Sequence, residues 1–333
     1  MSFSSSLDFS WKMFVFVALS STFVFGAFLL AQIFLKRVSG KYFRNWAQAT
    51  VATFLVSIVA TALLLLTVDQ ELQRRCFALF AEHAGSYAVT RVAAGAWLLG
   101  VAAFLLKDVI QVALFQKQVR AQSLRSEGDI LVMKSGFAPS TFGFIKQIVL
   151  IPENFMKMPE QLKYVLAHER MHVEMRDGFW NLLALVALRL AWFNPIAYLF
   201  SRSRVLAVEM ATDEAVVKLH GFDIRGYCES LVNAHRESII KGPTLVTLGA
   251  SAEYRQMHAR IQNLYNQHSS SKLQLVGSVI ALLLMWGFGM GQAFASIQTE
   301  VLANEEMMCY QVQHEKIIES LFKAPPETSN KCE

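Results

Sequence analysis

The sequence predicts an α-helical membrane protein with a smaller α+β domain on the cytoplasmic side of the membrane. Three observations lead to this fold class. Hydrophobic residues make up 54% of the 333-residue chain and charged residues only 17%, a balance typical of membrane proteins. Residues 13–35 and 46–68 are uncharged runs that are long enough to cross a bilayer. From about residue 117 to residue 272 the composition becomes mixed and moderately charged, which favours a domain outside the bilayer.

The two uncharged runs are joined by a short basic loop, and this loop sets the predicted orientation. It contains Lys36, Arg37, Lys41 and Arg44, and the excess of basic residues in cytoplasmic loops places it in the cytoplasm. A cleavable signal peptide is the alternative for the first run. Its basic residues follow the apolar stretch, however, and the stretch is too long for a signal core. We therefore predict a retained span with an extracytoplasmic N-terminus.

A third span is predicted at about residues 92–115 and a fourth at residues 273–298. The third is less uniform, because Lys107 and Asp108 lie near its inner end, where opposite charges can pair or reach the interface. Residues 299–333 then form a short extracytoplasmic tail. The sequence thus predicts a multi-pass protein of the inner (plasma) membrane with both termini outside and the central domain in the cytoplasm.

The cysteines and the net charge exclude two kinds of site. The four cysteines have no metal-ligand spacing, so a cysteine-based zinc site is excluded. Cys309 and Cys332 both fall in the predicted extracytoplasmic tail, where a disulfide between them is our hypothesis. The net charge of +5 is explained by the basic loops of a membrane protein and does not indicate direct binding of nucleic acid.

A metal-binding pattern lies within the central domain. The sequence His-Glu-Arg-Met-His at 168–172 places two histidines four residues apart, on one face of a helix predicted to run from Pro159 to about residue 177 and to end at Gly178. Their imidazole nitrogens can converge on one Zn²⁺. Glu169 then points towards a metal-bound water, where a catalytic base is needed.

A second helix, predicted over residues 203–219, carries the other candidate groups. Glu209 and Asp213 lie one turn apart on a common face of it. Glu209 can complete three protein ligands together with the two histidines, and Asp213 can orient an imidazole without binding the metal. A fourth position then stays open for water, as in catalytic zinc sites. The alternative is that each of these residues has no role in metal binding and is either exposed to solvent or hydrogen-bonded within the core.

The apolar segment between the two helices, residues 179–201, is predicted to form a membrane-associated hairpin. A straight crossing of about 30 Å would separate His172 from Glu209 by the full membrane thickness. Asn194-Pro195 should interrupt a helix here. We therefore expect a bend near these two residues and both ends of the hairpin on the cytoplasmic side.

Two short strands are predicted before the metal-binding helix, at residues 129–135 and 145–152. A turn-rich link at 136–143 separates them. An exposed strand edge beside the site would hold an extended substrate through main-chain hydrogen bonds.

Several of these blocks together resemble the BlaR/MecR-type membrane metallopeptidases, the antirepressor family of beta-lactam-sensing systems. The resemblance rests on FAPSTFGFIKQIVLIP, LAHERMHVEMRDGFWN, WFNP and VEMATDEAVV, in that order along the chain. It implies a gluzincin-like fold that faces the cytoplasm, with His168, His172 and Glu209 as zinc ligands and Glu169 as catalytic base. It also implies signalling through cleavage of a repressor or of the protein itself.

One feature departs from the family pattern. The resemblance implies that family members which sense beta-lactams carry a large penicillin-binding sensor domain after the final span. Here only residues 299–333 follow that span. We therefore expect the sensor domain to be lacking. The signal would then come from the short tail, from the loop at 69–91, from a partner or from the membrane itself.

The sequence thus predicts a membrane zinc metalloendopeptidase with a cytoplasmic active site. The expected partners are a cytoplasmic repressor-type protein substrate and membrane lipid, while a homo-oligomer stays open. Two alternatives remain: a membrane quality-control protease that acts on misfolded proteins, and a non-catalytic receptor or scaffold that keeps the zinc site for its shape. A group that stabilises the oxyanion besides the metal is expected, but the sequence does not identify it.

Overall fold

The structure, a computed structural model, describes residues 3–34, 39–67, 87–134, 137–241 and 250–266. In chain order these residues form α1 (Phe3–Phe34), α2 (Gly40–Thr67), α3 (Tyr87–Gln122), β1 (Ser123–Glu127), β2 (Ile130–Met133), β3 (Ser140–Phe142), β4 (Ile148–Pro152), α4 (Glu153–Met156), α5 (Pro159–Glu174), α6 (Asp177–Leu190), α7 (Pro195–His220), α8 (Ile224–Lys241) and α9 (Ala250–Tyr265).

Helices α1, α2 and α3 are long and apolar enough to cross a membrane, over Met13–Leu30, Gly40–Leu63 and Val92–Gln122. They overlap the predicted spans at 13–35, 46–68 and 92–115 with different bounds, and they indicate a membrane protein. Helix α3 leaves large apolar side chains such as Val92 and Leu99 more than 70% exposed, as lipid-facing residues would be. The predicted fourth span at 273–298 and the hypothetical Cys309–Cys332 disulfide lie outside the described residues.

The basic loop predicted between the first two spans is shorter than expected. Helix α2 begins at Gly40, so Lys41 and Arg44 lie in its first turns and not in the loop. The physical reason is a distant carboxylate: Glu214 of α7 accepts hydrogen bonds from the main-chain N–H groups of Gly40 and Lys41 at 2.7 and 3.3 Å. A negative charge at a helix N-terminus satisfies its free N–H groups and stabilises the helix.

Helices α1, α2 and α7 enclose the main apolar core. Phe28 and Phe54 are fully buried, and the Phe25 ring stacks on Phe200 of α7 with centroids 4.6 Å apart. The helix that carries Glu209 is therefore packed directly against the apolar helices.

The helix that carries His168 and His172 ends earlier than predicted. Helix α5 stops at Glu174, and Arg176 has a left-handed backbone with φ of 54°, so the chain changes direction and α6 begins at Asp177. Gly178 was wrongly predicted to end α5. It lies in the first turn of α6, where a Cβ would meet the carbonyl oxygen of Gly143 at 2.2 Å, so glycine is needed here for a close approach of two backbones.

Helices α6 and α7 form the hairpin that the sequence predicted. The helical path breaks over residues 191–194, Asn194 accepts a hydrogen bond from the Ile196 N–H at 2.9 Å, and Pro195 begins α7. Arg204 donates to Asn181 at 2.8 Å, which shows that the two arms run antiparallel. Helix α7 is much longer than the predicted 203–219 helix. The association of the hairpin with the membrane stays a prediction.

A four-stranded sheet of order β1-β2-β4-β3 packs beside α5. The two predicted strands correspond to β2 and β4, which are parallel to each other. The prediction of a strandless link over 136–143 was wrong, since β3 lies there at the sheet edge, antiparallel to β4. Pro139 and Gly143 flank this three-residue strand, so turn signals dominated its local sequence and only the pairing with β4 reveals it.

Candidate metal centre

The two histidines of the 168–172 motif share one face of α5. Pro159 at the first helical position and Glu160 in the first turn begin this helix. The Nε2 atoms of His168 and His172 lie 3.2 Å apart, and the two rings are nearly perpendicular. His168 is buried and His172 is half-buried, so both are held by surrounding structure.

Glu209 of α7 brings a carboxylate to the same point. Its Oε2 lies 3.4 Å from the Nε2 of His168, and its Oε1 lies 3.8 Å from the Nε2 of His172. One ligand atom from each of the three residues falls within 4.8 Å of the others. Two ligands of a tetrahedral Zn²⁺ bound at about 2.0–2.1 Å lie about 3.3 Å apart. The donor set therefore fits a zinc ion without large movement of any side chain.

The Nδ1 atom of His168 faces a buried cluster of polar side chains. Asp213, which is 0% exposed, has its Oδ1 3.2 Å from this nitrogen. The hydroxyl of Tyr227 lies 2.9 Å from it and donates to Asp213 at 2.8 Å. Arg260 of α9 donates two hydrogen bonds of 2.8 Å to Asp213. Acceptors around Nδ1 hold its proton there and direct the Nε2 lone pair towards the shared point.

The same cluster sets the charges of the site. Burial by itself lowers the pKa of His168, but hydrogen bonds to Asp213 and Glu209 outweigh burial and raise that pKa to about 10. Burial raises the pKa of Glu209, whereas the nearby charge of Arg260 and the two histidines lower it to about 2. Arg260 likewise holds the pKa of Asp213 below its usual range. Glu209 and Asp213 are therefore ionised at neutral pH.

The Nδ1 atom of His172 faces a different carboxylate. It lies 2.8 Å from the Oδ2 of Asp177, the first residue of α6. The other oxygen of Asp177 accepts hydrogen bonds from the Nε and Nη2 of Arg44 at 3.2 and 2.8 Å. Arg44 belongs to α2, one of the helices that could cross a membrane. Each histidine is thus oriented by an aspartate that an arginine holds in turn.

Glu169 lies on α5 beside the two histidines and is buried. Its Oε2 lies 2.9 Å from the hydroxyl of Thr141 in the edge strand β3, and the same hydroxyl lies 3.0 Å from the main-chain oxygen of Glu169. A hydroxyl donor at hydrogen-bond distance fixes the orientation of this carboxylate. This carboxylate can therefore act as a base at the edge of the sheet.

The residues around this cluster match a known family over most of the chain. Residues 27–264 match the sequence profile of the BlaR1 peptidase M56 family. The chain belongs to the BlaR1 peptidase M56 family. The predicted resemblance to BlaR/MecR-type metallopeptidases is thereby confirmed. The matched range contains α2, the sheet and the His168, His172 and Glu209 group that could hold a metal.

Individual members of the family are similar to the chain at low identity. Regulatory protein BlaR1 of Bacillus licheniformis is 24% identical over 235 residues, which are 63% of this chain and 39% of that protein. Regulatory protein BlaR1 of Staphylococcus aureus is 24% identical over 131 residues, 38% of this chain and 22% of that protein. The methicillin resistance mecR1 protein of Staphylococcus epidermidis is 28% identical over 83 residues, 24% of this chain and 14% of that protein. The chain spans less than two fifths of the length of each of these relatives.

In this M56 family member the cluster opens into a cleft of about 390 Å³. Strand β3 contributes Ser140 and Thr141 to one wall, and α8 contributes Ser230 and Leu231 to another. His168, Glu169, His172 and Glu209 all line the cleft. A molecule in this cleft would therefore contact the candidate base and the candidate ligands together.

The structure places the three candidate ligands named from the sequence close together. Sequence reasoning missed the groups around them: Thr141, Asp177, Tyr227, Arg260 and, as a site residue, Arg44. A signal existed for Arg260, since it lies within the apolar stripe of α9 formed by Met257, Ile261 and Leu264, where a charged residue is out of place unless it is paired. Asp177 gave no periodic signal, because the left-handed turn at Arg176 separates it from the helix of His172.

Proposed function

We propose that this chain is a membrane zinc metalloendopeptidase of the gluzincin type that signals by cleaving a cytoplasmic repressor, itself, or both. The observation that carries the proposal is the convergence of two imidazole Nε2 atoms and one carboxylate within 4.8 Å, with a second carboxylate, that of Glu169, lining the same cleft. Membership of a peptidase family supports the reaction class.

In the proposed mechanism His168, His172 and Glu209 would hold a zinc ion. Zinc in such a site supplies Lewis-acid polarisation of the scissile carbonyl and lowers the pKa of water. Glu169 takes the proton from the attacking water and passes it to the leaving amine. Thr141 keeps the Glu169 carboxylate aimed into the cleft for both transfers.

The position of β3 supports a peptide as the substrate. This edge strand borders the cleft through Ser140 and Thr141. An extended peptide can pair with a free strand edge through main-chain hydrogen bonds, which places its scissile bond near Glu169. The sheet thus supports the endopeptidase assignment.

A cytoplasmic position is supported by charge. Lys41 and Arg44 lie at the site end of α2, and Lys117 and Arg120 lie at the site end of α3. Basic residues at one end of membrane helices favour the cytoplasmic side. The regulatory names of the similar BlaR1 proteins support signalling as the outcome of cleavage.

The Glu169→Gln variant tests the catalytic role. The full-length chain is placed in lipid nanodiscs, zinc content is measured by mass spectrometry of the metal, and cleavage is followed with fluorescein-labelled casein and by the intact mass of the chain itself. We expect stoichiometric zinc in both proteins and a loss of cleavage of at least about 100-fold in the variant. Unchanged cleavage would exclude Glu169 as the base.

Two further outcomes separate the alternatives. Stoichiometric zinc with no cleavage of either probe by the unmodified chain would favour a receptor or scaffold. Extensive degradation of casein into many fragments, without self-cleavage at one or two sites, would favour a quality-control protease.

A further inference from the structure

The beginning of α2 contacts the candidate metal centre on two sides. On one side Arg44, which is 8% exposed, reaches the start of α6. On the other side the main chain at Gly40 lies against α7, the helix that carries Glu209. Helix α2 is also one of the three helices that could cross a membrane. The contacts therefore join a candidate membrane span to both halves of the ligand set.

Arg44 fixes the aspartate that orients His172. Its Nη2 donates to the Oδ1 of Asp177 at 2.8 Å and to the carbonyl oxygen of Met175, the residue that follows α5, at 2.7 Å. Asp177 is 2% exposed, and its Oδ2 lies 2.8 Å from the Nδ1 of His172. One carboxylate oxygen is thus held by the guanidinium and the other by the imidazole. A shift of Arg44 would therefore rotate or release the partner of His172.

The contact with α7 is equally close. A Cβ on Gly40 would lie 2.6 Å from the carbonyl carbon of Met210, the residue after Glu209. Glu214 accepts hydrogen bonds from the Ser39 hydroxyl and the Gly40 N–H, both at 2.7 Å. Backbones this close cannot slide past each other without a local rearrangement. A displacement of α2 would therefore also move the segment of α7 that carries Glu209.

We propose that Arg44 is a positioning residue for the metal centre, and that through it the seating of α2 sets the metal affinity of the peptidase. The proposal rests on the proposed function, because it takes His172 as a zinc ligand. The position of a candidate membrane helix would then act directly on the site. While Arg44 of α2 holds Asp177, Asp177 keeps the Nε2 of His172 directed at the metal. When α2 shifts, that orientation is lost.

The chain offers a matched control for this contact. Arg189 of α6 donates to Asp108 of α3 at 2.6 and 2.9 Å. This pair also joins a candidate membrane helix to the hairpin, and its side chains are 15% and 10% exposed, compared with 10% and 3% for Arg44 and Asp177. Neither member contacts a histidine of the site. A purely structural effect of losing such a pair should therefore appear in both cases.

The experiment measures zinc affinity of the full-length chain in nanodiscs by competition with a chromophoric chelator. We expect Arg44→Gln to weaken zinc binding by about 10- to 100-fold, the usual effect of removing a partner of a metal-bound histidine. The zinc affinity of Arg44→Lys should lie between those of Arg44→Gln and the unmodified chain, because one ammonium group cannot reproduce the two N–H contacts of the Arg44 guanidinium with Asp177. Arg189→Gln should change zinc affinity by less than about 2-fold, a threshold well below the effect of losing such a partner.

A double-mutant cycle shows whether Arg44 acts through Asp177. In the Asp177→Asn background Arg44→Gln should cause almost no further loss of zinc affinity, whereas in the Asp213→Asn background its effect should be fully retained. Equal losses for Arg44→Gln and Arg189→Gln, or additivity with Asp177→Asn, would overturn the proposal. Absence of zinc binding by the unmodified chain would instead overturn the proposed function together with it.

Discussion

The two histidines of the candidate metal centre have similar partners but belong to different structural surroundings. The cluster around His168 consists of Asp213, Tyr227 and Arg260, which come from α7, α8 and α9. The partners of His172 are Asp177 at the start of α6 and Arg44 from the apolar helix α2. Both arrangements place an aspartate on Nδ1 and an arginine on the aspartate. One is internal to the peptidase region, while the other depends on a candidate membrane span.

This difference indicates a division of roles between the two sides. On the His168 side a dense network of buried charges maintains the fold of the site. On the His172 side the contacts of Arg44 with Asp177 and Met175 connect the site to a candidate membrane helix. Variants on the two sides should therefore differ in what they damage first, stability in one case and metal affinity in the other.

The largest expected effect is on stability, from Arg260→Met. The change removes the guanidinium that pairs with both Asp213 and Glu209, and breaking a buried ion pair by removing one partner costs about 3–5 kcal/mol of folding free energy. Urea unfolding of the protein in nanodiscs, followed by tryptophan fluorescence, measures the loss. The exposed Arg225 and Glu229 pair provides the control, since Arg225→Gln should leave the unfolding midpoint unchanged.

Cys228 reports whether the damage stays on the His168 side. This thiol is buried next to Tyr227, and burial raises its pKa to about 11, so a maleimide should label it slowly at pH 7. Arg260→Met should accelerate labelling of the peptide that contains Cys228, and Arg44→Gln should not. Equal acceleration by both variants would remove the proposed division between the sides.

The next effect concerns metal affinity and compares the two aspartates directly. Asp213→Asn and Asp177→Asn should each weaken zinc binding by about 10- to 100-fold, because each removes the partner that fixes an imidazole. Asp213→Asn should lower the unfolding midpoint more than Asp177→Asn does, since Asp213 is 0% exposed and accepts hydrogen bonds from both Tyr227 and Arg260, whereas Arg44 keeps the carbonyl oxygen of Met175 as an acceptor after the change. Chelator competition and urea unfolding on the same samples separate the two properties. An Asp177→Asn protein that binds zinc normally would contradict the role of the His172 side.

The smallest expected effect is on the number of protons that are released when zinc binds. Because the pKa of His168 is raised to about 10, this imidazole carries its extra proton at pH 7, and zinc must displace it. We expect uptake of zinc to release about one proton from His168, compared with about 0.2 for a histidine of ordinary pKa near 6.5. Calorimetry in buffers of different ionisation enthalpy measures this number. The release should fall in Asp213→Asn, whose His168 loses a neighbouring negative charge.

The raised pKa of His168 also determines how the stability of the metal-free protein depends on pH. The folded pKa of His168 lies above its unfolded value, so its ion pairs contribute full stability below about pH 6.5. That contribution is lost as the pH rises towards 10 and His168 loses its charge. A metal-free protein that became more stable over this range would contradict the assignment.

Much of the candidate site followed from local spacing. A four-residue separation puts His168 and His172 on one helix face whatever the rest of the chain does. The pairing of Glu209 with Asp213 followed from the same period. Extended apolar runs located the three long helices, and Asn194-Pro195 located the bend between α6 and α7. These features depend on interactions within about one or two helical turns, which a single sequence contains.

Other features depended on contacts between distant segments. The edge strand β3 exists because it pairs with β4, and the end of α5 depends on the left-handed residue Arg176. Sequence reasoning placed Arg44 in a loop. Nothing near Arg44 in the chain reveals that α2 begins at Gly40, where Glu214 of α7 accepts a hydrogen bond from the main-chain N–H. Sequence reasoning left open whether Lys107 and Asp108 pair with each other or reach the interface, whereas Asp108 pairs with Arg189 of α6. For Gly40 and Asp108 the partner lies dozens of residues away along the chain.

The sequence by itself determined which chemical groups are present and, through helical periodicity, which of them share a face: the two histidines with Glu169 on one helix, and Glu209 with Asp213 on another. Only the tertiary structure decided that the two faces meet, that Asp177 and not a neighbour on the same helix supports His172, and that an arginine from a candidate membrane helix holds this aspartate. The physical reason is range. Backbone geometry links residues three or four apart, but an ion pair between Arg44 and Asp177 forms only when the folding of α2, α5 and α6 brings their charges within 3 Å.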